Sequence, residues 1–209
     1  MMPRRLDSNV LQSGAPLDAA RRVVILVHGR GGSAAGMIDL AARFETSDVA
    51  YLAPQAEGST WYPFSFLAPM EQNEPKLGVG LATIDALLVA LANRGMASPR
   101  VGILGFSQGA CLGLEYAARH AARYAAVVGL SGGLIGPPGT PRNYGGRFDG
   151  TPVFLGCSDV DAHIPLERVH ETRDVLRRLG AVVDTRIYPG MGHVVSDDEI
   201  EAVKALLQK

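Results

Sequence analysis

Apolar runs of strand length recur along the chain at residues 23–28 (VVILVH), 49–54 (VAYLAP), 100–106 (RVGILGF), 124–132 (YAAVVGLSG), 151–157 (TPVFLGC) and 182–189 (VVDTRIYP). Several are continuously apolar instead of alternating, as strands covered on both faces must be. Between them lie stretches with helical periodicity: 33–44 after the first run, 76–95 before the third, 108–124 directly after it, and 165–180 before the last. Gly95 and Gly180 stand where helices commonly stop, and Pro165 stands at a plausible first helical position. A final helix is expected from Ser196, whose spacing to Glu199 is that of a capping box and which places Ile200, Val203 and Leu207 on one face. Alternating strand and helix predict an α/β fold with a mainly parallel, doubly wound sheet and helices on both faces.

Two connections break this rhythm. Residues 55–76 are rich in aromatics and prolines, and residues 132–150 are rich in glycine and proline. Loops of this length are usually functional or mobile, and both should leave the carboxyl ends of strands, where open α/β sheets bind ligands.

The chain has 209 residues, enough for one sizeable core and short for two, so residues 1–209 are read as a single domain. A net charge of −1 from scattered charges gives no electrostatic case for nucleic acid or an anionic membrane. No apolar run approaches the ~18 residues of a membrane span, and the first residues lack a signal-peptide core. Cys111 and Cys157 are too few for a disulfide framework, so a cytoplasmic protein is expected.

The segment GFSQG, Gly105 to Gly109, fits G-x-S-x-G, with a strand before it and a helix after it. This context predicts a strained turn that lifts the Ser107 hydroxyl above the sheet as a nucleophile. Its proton needs a base, and the base an orienting acid; in this kind of fold both follow the serine in the chain. His120 and His170 fall in helical stretches. His193, in the Gly-rich loop between the last strand and the last helix, is the expected base, with His163 as competitor. The oxyanion donors are expected to be the backbone N–H groups of Gln108, just after the nucleophile, and Arg30, in the loop HGRGGS after an early strand. The Arg30 side chain is read as solvated, and His28 as a brace for its loop.

Together, VHGRGGS, the STWYPFSF loop, GFSQGA, GLSGG, the Asp–x–His–Ile–Pro run and GMGH resemble the phospholipase/carboxylesterase branch of the α/β-hydrolases, which includes acyl-protein thioesterases and is similar to dienelactone hydrolases. The likeness runs over residues 23–208 and implies an α/β-hydrolase fold with little or no lid domain, Ser107 as nucleophile, His193 as base, and Arg30 and Gln108 as oxyanion donors. Two departures are visible. Dienelactone hydrolases usually carry a cysteine where this chain has Ser107, and the thioesterases usually read Trp–aromatic–Asp where it has Trp61–Tyr62–Pro63.

The resemblance also supplies two rulers for the acid, and they disagree within GCSDVDAHIP. Counting back four residues from the helix-starting Pro165 gives Asp161; counting forward three from Gly156 gives Asp159. The proline ruler is preferred, because a helix start fixes where the loop re-enters the fold, whereas a strand end can fray. Asp159, Asp161 and His163 would share one face of an extended segment and could ligate a divalent ion, but no second cluster stands out to complete a site. No metal and no cofactor is expected.

Trp61, Tyr62, Phe64 and Phe66 either anchor their long loop onto the core or form an apolar wall beside Ser107, with Leu134 opposite. The expected function is a serine carboxylesterase acting on small to medium esters, with a small-molecule ester and water as partners and a monomer or homodimer as assembly. A thioesterase or dienelactone-type hydrolase would use the same triad; an acyltransferase, a metal site or a non-catalytic module are the remaining readings.

Overall fold

The computed structural model describes residues 4–7 and 9–208. Its sheet contains β1 (Arg4–Asp7), β2 (Val10–Gly14), β3 (Arg22–Val27), β4 (Val49–Pro54), β5 (Val101–Phe106), β6 (Ala126–Leu130), β7 (Pro152–Ser158) and β8 (Val182–Tyr188). Their spatial order is β1-β2-β4-β3-β5-β6-β7-β8. All pairings from β4 to β8 are parallel, and β2 runs antiparallel to both β1 and β4. The helices are α1 (Ala34–Ala42), a four-residue α2 (Met70–Asn73), α3 (Lys76–Ala92), α4 (Gln108–Arg119), α5 (Leu166–Arg178) and α6 (Asp197–Gln208).

The continuous apolarity of the strands has the anticipated cause. Val23, Ile25 and Val27 of β3 point into a core shared with α3, α4 and α5, whereas Val24 and Leu26 point into a second core with α1 and α6. The same division separates Val153 and Leu155 from Phe154 in β7. A strand whose successive side chains alternate faces must be apolar throughout when both faces are covered. β8 lies at the sheet edge and is only partly buried, so its sequence alternates.

The antiparallel pair at the other edge was not anticipated: residues 10–14 are mostly half-exposed and form no apolar run, which leaves hydropathy little to report. The predicted helix over 108–124 also ends early, at Arg119. His120 leaves helical geometry at φ −118°, ψ 48°, its carbonyl accepts from the Tyr124 hydroxyl, and Ala121 pairs with Gly146, so the chain turns away from the helix axis there. Gly180 behaves as expected: at φ +90° it follows α5, its N–H donating to the Arg177 carbonyl while Ala181 N–H donates to Leu176. This is a Schellman stop that a side chain with a Cβ would strain. The start of α6 is the predicted box, Ser196 Oγ accepting from Glu199 N–H and Glu199 Oε2 accepting from Ser196 N–H at 2.7 Å.

The chain leaves β3 toward β4 and later returns to β5 on β3's other side. The carboxyl ends of β3 and β5 therefore flank a topological switch point, the place where such sheets form ligand crevices. Residues 28–33 follow β3 there, and Ser107 follows β5.

Candidate active site

Ser107 adopts φ 55°, ψ −121°, a conformation that costs a residue with a Cβ roughly 1–3 kcal/mol and persists only when the surroundings impose it. They do so here. Ser107 N–H donates to the Leu130 carbonyl at the end of β6, and its own carbonyl accepts the Cys111 N–H that opens α4. The two flanking glycines allow strand and helix to meet this closely: a Cβ on Gly105 would lie 2.3 Å from the Gly109 carbonyl carbon, and one on Gly109 only 2.1 Å from the Val27 carbonyl oxygen.

The Ser107 hydroxyl lies 2.8 Å from His193 Nε2, and His193 Nδ1 lies 2.7 Å from Asp161 Oδ2. An ionised carboxylate can only accept, so the imidazole proton is assigned to Nδ1, which leaves Nε2 as acceptor for the serine proton. The Asp161 side chain is fully buried, and its Oδ1 accepts the N–H groups of His163 and Ile164. Burial alone would raise this carboxyl's pKa; the hydrogen bond from His193 and the two amides outweigh it and hold it below the ordinary aspartate value. The structure thus joins Ser107, His193 and Asp161 in one hydrogen-bonded chain. Such a chain can remove the serine proton as the oxygen attacks a carbonyl and stabilise the imidazolium that results.

The other acidic residue of this loop is placed differently. Asp159 is exposed, and its Oδ1 accepts Gly190 N–H, tethering the start of the loop that carries His193. His163 lies edge-on to His193, with ring centroids 4.9 Å apart. Residues 159–164 form turns and bends instead of the extended segment that would align three metal ligands, and the two carboxylates face different partners. His28 braces its loop as expected. It is buried, its Nδ1–H donates to Gly29 O, and its Nε2 accepts Ala56 N–H; desolvation lowers its pKa, favouring the neutral ring.

A cavity of about 610 Å³ opens over Ser107, a size suited to a small organic ligand. Gln108, first residue of α4, and Arg30 both line it. A backbone N–H at a helix start has no intrahelical acceptor, so that of Gln108 is available to a ligand oxygen. Tyr62 and Phe64 line the cavity as anticipated, Phe64 being 54% exposed at the mouth.

Two expected wall residues are elsewhere. Trp61 is buried behind the loop, where its indole N–H donates to the His28 carbonyl and its ring packs on His28, so it anchors the loop and does not line the cavity. Leu134 is fully buried, with its N–H on Thr172 and its carbonyl on Arg168; Phe106 and Ile164 line the cavity instead.

Side chains that escaped the sequence reading hold the aromatic loop in place. Gln108 accepts Trp61 N–H and donates to Tyr62 O; buried Asn73 of α2 accepts Phe64 N–H and donates to Ser65 O. The Arg30 side chain, expected to be solvated, is bound to Thr60 Oγ1 and to the Pro63 and Phe64 carbonyls. A polar residue that serves a neighbouring loop has no periodic signature, and only the Asn73 burial or the Arg30 geometry shows its role.

Comparison with known proteins decides the family. Residues 10–209 match the model of the Phospholipase/Carboxylesterase family. The chain belongs to this family. It is accordingly an ester hydrolase with the α/β-hydrolase fold. Among its relatives, Acyl-protein thioesterase 1 of Neurospora crassa is 25% identical over 88% of this chain and 84% of its own length, and that of Saccharomyces cerevisiae is 24% identical over 96% and 98%. Among solved structures, a phospholipase/carboxylesterase from Dyadobacter fermentans superposes with a TM-score of 0.93 at 39% identity, covering 97% of each chain. The Bacillus cereus carboxylesterase, at 18% identity and a TM-score of 0.78, shares the fold.

Proposed function

We propose that the protein is a serine carboxylesterase that cleaves small to medium carboxylic esters through an acyl-enzyme on Ser107. The observation that carries this reading is the hydrogen-bonded chain Ser107–His193–Asp161 on the wall of a cavity large enough for a small ester. Ser107 Oγ attacks the ester carbonyl as its proton passes to His193 Nε2. Asp161 keeps the imidazole oriented and offsets its positive charge. The carbonyl oxygen becomes an oxyanion stabilised by the backbone N–H groups of Arg30 and Gln108. When the tetrahedral intermediate collapses, the ester C–O bond breaks and His193 returns the proton to the departing alkoxide. Water then attacks the acyl-enzyme by the same route, releasing the acid and restoring Ser107.

The cavity bounds the acyl group. Tyr62, Phe66 and Ile164, all buried, line it, an apolar surface suited to short acyl or aryl groups. The names of the thioesterase relatives favour a second reading, thioester cleavage, for which the same three residues suffice. A panel of nitrophenyl esters and matched thioesters of graded chain length separates the two. The expected result is kcat/KM highest for short esters, with Ser107→Ala removing turnover by at least about 10³-fold. Equal activity in the Ser107 variant would overturn the proposal, and thioester rates well above those of the matched esters would favour the second reading.

A further inference from the structure

The cavity over Ser107 has an uneven charge. Of the residues lining it, Arg30 alone carries a permanent charge, two are histidines, and none is a carboxylate. The nearby Asp161 carboxylate does not line the cavity: its Oδ2 is turned to His193 and its Oδ1 to two backbone amides, so it lies behind the imidazole. The amino end of α4 adds a partial positive charge at the same place.

Arg30 is also held in position. A guanidinium has five N–H donors in a fixed plane. Three acceptors hold it, with Nη1 on Thr60 Oγ1 and Pro63 O and Nη2 on Phe64 O at 2.7 Å. These are neutral oxygens, so they fix the guanidinium without neutralising it, and no acidic side chain among the described residues forms an ion pair with it. The Nε–H and one Nη2–H remain, two donors of the kind that pair with a carboxylate. A guanidinium fixed in this way, with two donors left over and no carboxylate beside it, is suited to receive an anion.

Resting on the esterase reading above, we propose that the preferred substrate is an ester that itself bears a carboxylate, and that Arg30 is the residue that selects it. The carboxylate lies at the cavity mouth against the Arg30 side chain while the ester carbonyl lies at Ser107. Neutral esters of the same shape enter the cavity but lose this charged hydrogen bond. The test compares kcat/KM for matched pairs: the mono-nitrophenyl ester of adipic acid against that of its mono-amide, for a carboxylate on the acyl side, and 4-acetoxybenzoate against 4-acetoxybenzamide, for one on the alcohol side. Wild type is expected to prefer the anion roughly 10- to 100-fold in at least one pair, the scale of a charge-assisted hydrogen bond. The preference should shrink with added salt, fall to near unity in Arg30→Met and survive within a few-fold in Arg30→Lys. Because Arg30 also supports the aromatic loop, the ratio within a pair is the readout, not the absolute rate. Equal rates in both pairs for wild type, or a preference unchanged in Arg30→Met, would overturn the inference. If wild type cleaves both members equally and Ser107→Ala cleaves neither, the esterase reading stands and this one fails; if wild type cleaves none, the esterase reading itself fails.

Discussion

At the scale of single residues, the two aspartates of one loop separate by what they touch. Asp161 holds the ring of His193, and Asp159 holds the amide of Gly190. Asp161→Asn should therefore lower kcat by about 10³–10⁴-fold with the fold intact, because the amide no longer enforces the productive tautomer. Asp159→Asn keeps an oxygen for Gly190 and should cost less than about tenfold, by analogy with other solvent-exposed polar contacts. Since its folded pKa is depressed, Asp161 contributes stability above about pH 4, where it is ionised even when unfolded, and loses that contribution as pH falls through its lower folded value. The stability gap between wild type and Asp161→Asn, measured by denaturation, should accordingly narrow on acidification. Of the two rulers in the sequence, the one from Pro165 lands on the residue that contacts His193. The ruler from Gly156 fails for a reason of packing: a Cβ there would lie 2.1 Å from Glu199 Oε1, so that glycine answers to α6 across the sheet and not to the acid loop. Nothing in a linear spacing reveals such a constraint.

At the scale of elements, the site is a product of how closely β5, α4 and β3 approach. Gly109→Ala inserts a methyl 2.1 Å from the backbone of Val27, which cannot move without disturbing the central strand. The cost should exceed the usual 1–3 kcal/mol of an overpacked core, as overlap with backbone cannot be relieved by a rotamer change. A melting temperature lowered by several degrees, together with activity lost out of proportion to the fold, is the expected outcome; unchanged melting would contradict the close-approach account. The strand–turn–helix around Ser107 was legible because the motif, the apolar run and the helix periodicity agree there. The antiparallel β2 and the short α2 were not, for both are small and half-exposed and leave hydropathy little contrast. Composition marks the aromatic loop as functional or mobile, yet it cannot tell the anchor, Trp61, from the cavity-lining Tyr62, since neighbouring residues of one loop face opposite ways. Leu134 departs from its expected place in the cavity wall in the same manner: Thr172 and Arg168 of α5 bind the backbone of Leu134 and Gly136 and bury the Leu134 side chain.

At the scale of the whole molecule, the parallel sheet brings together residues far apart in the chain by aligning the carboxyl ends of its strands. Arg30 follows β3, Ser107 follows β5, Asp161 follows β7 and His193 follows β8, so each loop contributes one part of the site. The alternation of strand and helix and the apolarity of the strands made the mainly parallel sheet readable, because burial on both faces leaves a plain signal, whereas the residues on its loops were legible only through the G-x-S-x-G motif, the triad order and the family resemblance. The charge of the cavity was not readable, since it depends on which side chains line a space that only the assembled loops enclose. If Ser107 is the nucleophile activated through His193, it should be the side chain that reacts with an electrophilic phosphonate, and covalent labelling reads this out. Reaction of the folded protein with a fluorophosphonate, followed by mass spectrometry of its peptides, should give one stoichiometric adduct on Ser107, formed far more slowly in His193→Ala. An adduct at another residue, or ester turnover that persists while Ser107 is fully labelled, would show that Ser107 is not the nucleophile.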